Sequence, residues 1–503
     1  MRDTPLFPAF RARLAALGRR SFHSLRQSTL AQFQEQIRHL IPAQLLSQEE
    51  AGPNSRDRCF NLRFTFECFV WQMLKPRTAC REVVRQVQAL LRLQGQVPID
   101  EDDSAYVQAR QRLPKQKMFA VLRALGQAAA QRVTPTNVLQ SRPVKVIDGS
   151  TAQLADTKKN QKCYPQPAGQ KAGCGFPVMK FVVLFSLNTG AILEVMMGSL
   201  RAHELRLFRQ LWSTLKKADI VLGDRGFGHY STLAALPLKG VDVVARLHAM
   251  RKVDFRKAKR LSKNDGLFQW TKTKTQSPLF TAHQWKRLPA EITVRIIRFT
   301  ADIRGFRSRR ITLVTSLLDG QLYPAHELAH LYKRRWRLEL CLRDLKTTLG
   351  MDQLRCQSPE MAQKELLAYL IAHNLIRCVM AEAACTHQTD LERLSFKGTV
   401  DGVRQYSVAI AQARSKRMRR QLWDDLLLNL VRDQVPERPD RREPRAVKRR
   451  PKPYPLLNQP RRKFVEISHR NRYWKGRPRN FRALNCQRAV KTSQGWVDEN
   501  QPL

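Results

Sequence analysis

The sequence predicts an α/β fold, a mixed β-sheet covered by helices. Three observations lead there. Apolar residues recur at helical spacing up to about residue 140. From Arg142 two strand-like runs come first, and strand and helix then alternate. With 503 residues, 43 % of them hydrophobic, the chain is long and apolar enough for two or three domains around a sizeable core.

Taken in order, residues 1–140 read as a helical N-terminal region. Leu91 and Leu93, then Phe119, Leu122 and Leu125, keep helical spacing, and Pro114 stands where a first-turn proline is tolerated. In DDSAYVQARQRLP, Asp102 to Pro114, Asp103 or Ser104 is placed to cap a short basic helix, and an ordinary capped helix and a DNA contact are both open readings. PVKVID reads as a strand ending in an acid, Asp148. MKFVVLFSLNTGAILEVMMGS reads as two strands joined at Asn188-Thr189-Gly190, a turn with the right chemistry. A leucine-rich helix at about 203–216 precedes a buried strand at 220–222 that ends in Gly223-Asp224, and another strand lies at 241–245. Residues 246–315 form a basic, β-rich insertion whose strands are EITVRIIRFTA and RRITLVTSLL. Helix returns at Pro324, runs through YKRRWRLELCLRDLKTTLG (Tyr332 to Gly350) and extends over 361–384. The expected organisation is therefore a helical region at 1–140, a sheet domain at 141–245 and 316–390 split by the insertion at 246–315, a helical region at 391–435 and a tail at 436–503. Between Arg441 and Ala483 the tail carries 16 Lys/Arg against 2 Glu, a composition that points to disorder.

Charge narrows the partners. Lys and Arg number 90 against 42 Asp and Glu, a formal +48. An enzyme of small metabolites has no use for that self-repulsion, whereas a polyanion relieves it, because each neutralised phosphate releases counterions. Nucleic acid is the leading partner and an anionic membrane the weaker one. Apolar runs such as residues 181–187 fall short of the ~18 residues a span needs, so no membrane insertion is expected. The opening MRDTPLFPAFRARLAALGRR has no apolar core of a secretory signal. Ten scattered cysteines without a CxxC argue against zinc and disulfides and for reduced thiols in the cytoplasm.

Three carboxylates stand out. Asp148 in VIDGST and Asp224 in VLGDRGF each follow a short apolar strand. For the third, Glu339, a helical wheel with Tyr332 at zero puts Arg335 at about 300°, Glu339 at about 340° and Lys346 at about 320°. Leu331, Leu338, Leu342, Leu345 and Leu349 occupy a separate arc at about 220–280°. The leucines anchor the helix, and Glu339 is held beside two cations and a tyrosine. Arg334 and Arg337 point elsewhere and read as solvated charges. Carboxylates from two strands and a helix suit Mg²⁺, which prefers oxygen ligands, and two such ions support in-line phosphoryl displacement. Neighbouring arginines suit the flanking phosphates. Paired carboxylates also serve glycosidases, but the basic charge makes a neutral sugar a poor substrate.

Tyr332-x2-Arg335-x3-Glu339-x6-Lys346 resembles the Y-R-E-K motif of IS4-type DDE transposases, and VIDGST and GDRGF resemble the regions holding that family's first and second aspartates. The resemblance covers about residues 100–385. It implies an RNase H-like catalytic domain in which Asp148, Asp224 and Glu339 are the catalytic metal ligands for two Mg²⁺ ions, with Mn²⁺ as a substitute. It implies cutting at the ends of an insertion sequence and joining of 3′-OH ends to target DNA, by cut-and-paste. Tyr332, Arg335 and Lys346 would contact phosphates of the terminal inverted repeats. Trp336, which can stack or pack, and Arg343 join them as DNA-facing residues of the same helix. Trp270 and Trp285 are candidates for base stacking, with a core role as the other reading. A homodimer in the synaptic complex and a bacterial cytoplasmic, nucleoid-associated location follow from the same resemblance. The alternatives are a non-enzymatic DNA-binding protein derived from a transposase, an RNase H-fold nuclease, and a basic RNA-binding structural protein.

Overall fold

The computed structural model describes residues 40–47, 52, 54, 58–93, 97–133, 138–277, 279–301, 309–413, 415–436 and 456–464. The N-terminal stretch MRDTPLFPAFRARLAALGRR and most of the basic tail lie outside the described residues. Among the described residues, four α-helices precede the first strand: α1 (Leu62–Leu74), α2 (Cys80–Leu93), α3 (Ser104–Arg112) and α4 (Lys115–Arg132). Asn61 starts α1 by accepting the Phe64 N–H at 2.9 Å, and the helix is buried around almost its whole circumference. The cap expected of Asp103 or Ser104 is not made by either side chain. Asp103 holds the N-cap position, but it is Asp102 Oδ1 that accepts the Ser104 N–H, at 3.1 Å. α3 also sinks Tyr106 and Arg110 into the core, where the Tyr106 hydroxyl donates to Gln72 Oε1 at 3.0 Å and Arg110 lies 4.9 Å from the Phe69 ring centre. Those two side chains are structural, which removes them from any DNA-contact reading.

Among the described residues, one sheet of nine strands follows: β1 (Val144–Gln153), β2 (Val178–Ser186), β3 (Ile192–Ser199), β4 (Ile220–Gly223), β5 (Asp242–Arg246), β6 (Lys259–Ser262), β7 (Asp265–Thr271), β8 (Glu291–Ala301) and β9 (Arg309–Thr315), in the order β3-β2-β1-β4-β5-β9-β8-β7-β6. β1, β2 and β3 are antiparallel, while β1, β4 and β5 run parallel. That 3-2-1-4-5 half is RNase H-like, as the resemblance implies. The β2–β3 turn falls at Asn188-Thr189-Gly190 as read, and Gly190 takes φ +65°, where a glycine is unstrained. The insertion strands extend the same sheet, because β9 pairs antiparallel with β5. They are fastened by a buried fork: Arg295 of β8 donates to both Asp265 oxygens, at 2.8 and 2.5 Å, and to the Asp319 and Tyr323 carbonyls. Trp270 and Trp285 are 7 % and 8 % exposed in this part of the core, so the packing reading holds for both.

Strand β1 departs from expectation. It does not end at Asp148 but continues to Gln153, paired with β2 throughout. Its other edge pairs with β4 only at Val144–Val146, and next meets the chain at Gln353 through a single bridge with Gln153. Asp148 therefore lies inside a long strand, at an opening in the sheet where the parallel neighbour has stopped.

The helical half comprises α5 (Lys158–Cys163), α6 (Glu204–Leu211), α7 (Tyr230–Ala235), α8 (Ala282–Lys286), α9 (Ala325–Arg334), α10 (Trp336–Arg343), α11 (Pro359–Thr386), α12 (Phe396–Gln412) and α13 (Lys416–Arg432). α11 is long and apolar enough to cross a membrane by length and composition, which the short apolar runs did not reveal, yet 94 % of its most apolar window is buried in the fold. Its Asn374 fixes the central layer, donating to the Leu122 and Ile192 carbonyls at 3.1 and 2.7 Å and accepting the Ile192 N–H at 2.7 Å. Gly126 of α4 permits this closeness, since a Cβ there would lie 2.5 Å from the Ile192 oxygen.

Met1–Pro167 and Phe176–Lys452 belong to one compact unit, and Ala168–Gly175 with Pro453–Leu503 to a second. Within the second, Leu456 of the basic tail bridges Gly175, and the Arg461 guanidinium donates to the Gly173 and Gly175 carbonyls at 2.7 and 2.6 Å.

Candidate active site

Register brings the two aspartates level. Val146 pairs with Leu222 in the parallel β1–β4 ladder, so Asp148 and Asp224 each stand two residues further along adjacent strands. Asp148 shares the sheet face of Val146, because side chains alternate along a strand. Val146 packs in the same core cluster as Leu338, Cys341, Leu345 and Leu349, the apolar stripe of the helix that carries Glu339. Asp224 adopts extended backbone after β4 and turns into a 3₁₀ turn, Arg225–Phe227, by accepting the Gly226 N–H at 2.7 Å. Asp148 accepts the Gly149 N–H at 2.9 Å.

The helix is not the uninterrupted one that the wheel assumes. α9 ends at Arg334, and a tighter turn at Arg335 separates it from α10, with the Arg335 N–H donating to the Tyr332 carbonyl. After Arg343, residues Asp344–Thr348 form a π-helical turn. Over-winding at Arg335 and under-winding at Lys346 act in opposite senses, and a π turn within a helix is a recurrent feature of functional sites. The outcome preserves the predicted grouping. Arg335 Nη2 lies 3.3 Å from Glu339 Oε1, and its guanidinium carbon is 5.6 Å from the Tyr332 ring centre.

Asp148, Asp224, Tyr332, Arg335, Glu339 and Lys346 lie near enough to influence one another's charge. Burial pushes the Asp148 carboxyl up to about 6; Arg335 and the Gly149 N–H oppose that rise, while Asp224 and Glu339 add to it. Burial works against the charge on Arg335, but Tyr332, Asp148, Glu339 and Asp224 outweigh it and hold the guanidinium above its ordinary value. Burial depresses Lys346, with Asp352 and Asp148 opposing. Burial raises the Tyr332 phenol, while Arg335 and Arg246 draw it down. Among the described residues, no ion pair within 4.0 Å involves Asp148 or Asp224. Arg335 Nε is buried and has no hydrogen-bond partner. The site thus sets three carboxylates against two cations, Arg335 and Lys346, and neither aspartate has a direct ion pair. The all-oxygen donor set and that charge fit hard divalent cations, although among the described residues no three acids, histidines or cysteines already stand together as a metal cage.

The remaining candidates divide. Trp336 is 61 % exposed, so its ring faces solvent and the packing alternative fails. Arg343 is also exposed, 4.0 Å from Asp344. Arg334 and Arg337 are not solvated charges: both pair with Glu392, and Arg334 reaches Asn188 as well, so they tie the helix to the segment before α12. The wheel could not foresee Glu392, which approaches from outside the helix. Asp352 and Arg246, which act on Lys346 and Tyr332, were also missed, since only the folded chain brings them near.

Residues 139–375 match the family described as a transposase DDE domain. The transposase InsG for insertion sequence element IS4 of Escherichia coli (strain K12) is 26 % identical over 404 residues, 80 % of this chain and 88 % of that protein. Residues 139–375 therefore carry a transposase DDE domain, and over most of its length the chain is similar to an IS4 transposase. A transposase for insertion sequence element IS421 of Escherichia coli is 39 % identical over a shorter stretch of 66 residues, 13 % of this chain and 18 % of that protein. A piggyBac transposase in a synaptic complex with hairpin DNA overlaps 80 % of this chain and 84 % of its own at 9 % identity and a TM-score of 0.39. The fold assignment of the transposase rests on its sheet order and not on that overlap. Its function is that of a DNA transposase, an enzyme of the DDE class, and members of that class work with divalent metal ions.

Proposed function

We propose that Asp148, Asp224 and Glu339 hold two Mg²⁺ ions, which Mn²⁺ can replace, and that the transposase uses them to cut the ends of its element and join the 3′-OH ends to target DNA. The observation that carries this reading is the convergence of the three carboxylates on Arg335, with Asp148 raised to about 6 and neither aspartate in an ion pair. Bound cations would supply charge stabilisation at the phosphorus and lower the proton affinity of an attacking oxygen. The chain's own residues do the rest. The Arg335 guanidinium, beside Glu339, would meet a terminal phosphate through a charge-assisted bond that fixes the end against the carboxylates. Lys346 and the Tyr332 hydroxyl hold the adjoining backbone, and exposed Trp336 and Arg343 meet the DNA outside the cleft. Cut-and-paste excision, a homodimer on paired inverted repeats and action at the bacterial nucleoid belong to this reading.

The experiment is a strand-transfer assay. Purified transposase, a DNA end bearing a 3′-OH and a target plasmid are incubated with Mg²⁺, and the expected product is target DNA covalently joined to that 3′ end. Hydrolysis without joining would leave an RNase H-fold nuclease, and binding alone would leave a non-enzymatic DNA-binding protein.

A further inference from the structure

A second feature lies on the opposite sheet face from Glu339. A cleft of about 520 Å³ opens between the start of α6, the segment after β4 and the insertion. Its lining is basic and includes no carboxylate: Arg201, His203 and Arg206 from one side, His229 from the segment after β4 and Arg251 from the insertion, with Trp285 in the wall. None of the three arginines has a carboxylate within 4.0 Å among the described residues. Arg251 is held in place by stacking 3.8 Å from the Trp270 ring centre. Burial first, and then the neighbouring His248, His203 and Arg251, depress His229. Thr273 and Ser277 add hydroxyls to the lining.

Like charges gathered without a counterion oppose one another, and a bound polyanion removes that cost. Its elements neighbour those that carry the carboxylates. His229 follows Asp224 by five residues in sequence. Glu204, between two lining residues, comes so near β1 that a Cβ on Gly149, next to Asp148, would lie 2.9 Å from its Oε1. We propose that this cleft is a second phosphate-binding site, which takes the phosphodiester backbone of DNA on the insertion side of the sheet. Guanidiniums and hydroxyls are the groups that bind phosphate oxygens, and a volume of about 520 Å³ admits a short run of backbone. The site rests on the transposase acting on DNA but not on the metal assignment.

The test is binding without metal ions. Arg201 and Arg206 are exposed, so the double variant Arg201→Ala/Arg206→Ala should keep the fold, which a thermal melt verifies. Affinity for a mixed-sequence duplex and for its single strand is measured across a salt series. Losing two phosphate contacts should lower the slope of log K against log salt by about 1.8 on duplex or about 1.4 on single strand, and weaken binding at low salt. A loss on either form of DNA supports the proposal. Arg256→Ala, an exposed insertion arginine paired with Asp254, is the control and should leave the slope unchanged. Unchanged slope and affinity in the double variant would overturn the proposal. So would saturable binding of inorganic phosphate or a nucleoside monophosphate to the wild type that the double substitution removes while DNA binding stays intact. Failure here leaves the strand-transfer result untouched, because that assay reads the carboxylate side.

Discussion

Asp148→Asn should stabilise the metal-free transposase at neutral pH while it disables it. Burial and two neighbouring carboxylates raise the Asp148 carboxyl from 3.8 to about 6 in the fold. A raised carboxyl means that the native state binds the proton more tightly than the unfolded chain, so stability falls as pH rises. The penalty is absent below about 3.8, grows between 3.8 and about 6, and is complete above that. At 1.36 kcal/mol for each tenfold change in proton affinity, it reaches about 3 kcal/mol at pH 8 and roughly half that at pH 5. Asparagine keeps the shape and never ionises. Urea unfolding of both proteins in chelator, at pH 8 and pH 5, should show the variant ahead by up to about 3 kcal/mol at the higher pH and by less at the lower. Added Mg²⁺ should stabilise the wild type alone. A variant equal to or weaker than wild type at pH 8 without metal would refute the claim that burial and the neighbouring carboxylates outweigh Arg335 at Asp148.

Arg335→Ala should weaken end binding by about 1.5–3 kcal/mol, the worth of a hydrogen bond to a charged group. Because Arg335 lowers Asp148, its loss should also move the rising limb of the pH–cleavage profile to higher pH; unchanged binding and an unmoved limb would remove its role. Asp265→Ala strands Arg295, whose side chain is 1 % exposed, and should cost about 3–5 kcal/mol in urea unfolding. A loss below about 1 kcal/mol would show that the carbonyls of Asp319 and Tyr323 suffice. Trp336→Ala, at a site 61 % exposed, should leave stability within about 0.5 kcal/mol and weaken DNA binding by about 1–3 kcal/mol through lost base stacking. Unaltered affinity in a gel-shift titration would take Trp336 off the DNA face.

Much of the site was legible because strand and helix periods set where side chains point. The strands bearing Asp148 and Asp224, and the leucine stripe that orients Glu339, were readable from apolar patterning alone. Local signals did not give strand lengths. VIDGST looks like a strand end because Gly149 and Ser150 are poor strand formers, yet pairing with the apolar β2 carries β1 on to Gln153. The breaks at Arg335 and at Asp344–Thr348 were invisible to a wheel with one fixed angle. Contacts that arrive from distant sequence were beyond reach, as with Glu392 on Arg334 and Arg337; Asp352, only six residues past Lys346, acts on it across the π-helical turn that the wheel omits. The cationic cleft draws on segments from Arg201 to Trp285, so no spacing in the chain announces it.

The central claim is that three carboxylates from β1, the end of β4 and α10 act together in DNA strand cleavage. Its most direct measurement compares wild type with Asp148→Asn, Asp224→Asn and Glu339→Gln, using an end-DNA substrate, Mg²⁺ and a parallel binding assay. The account predicts that each substitution lowers cleavage by more than about 10³-fold while end binding stays close to wild type. Full cleavage by any of the three variants would contradict it.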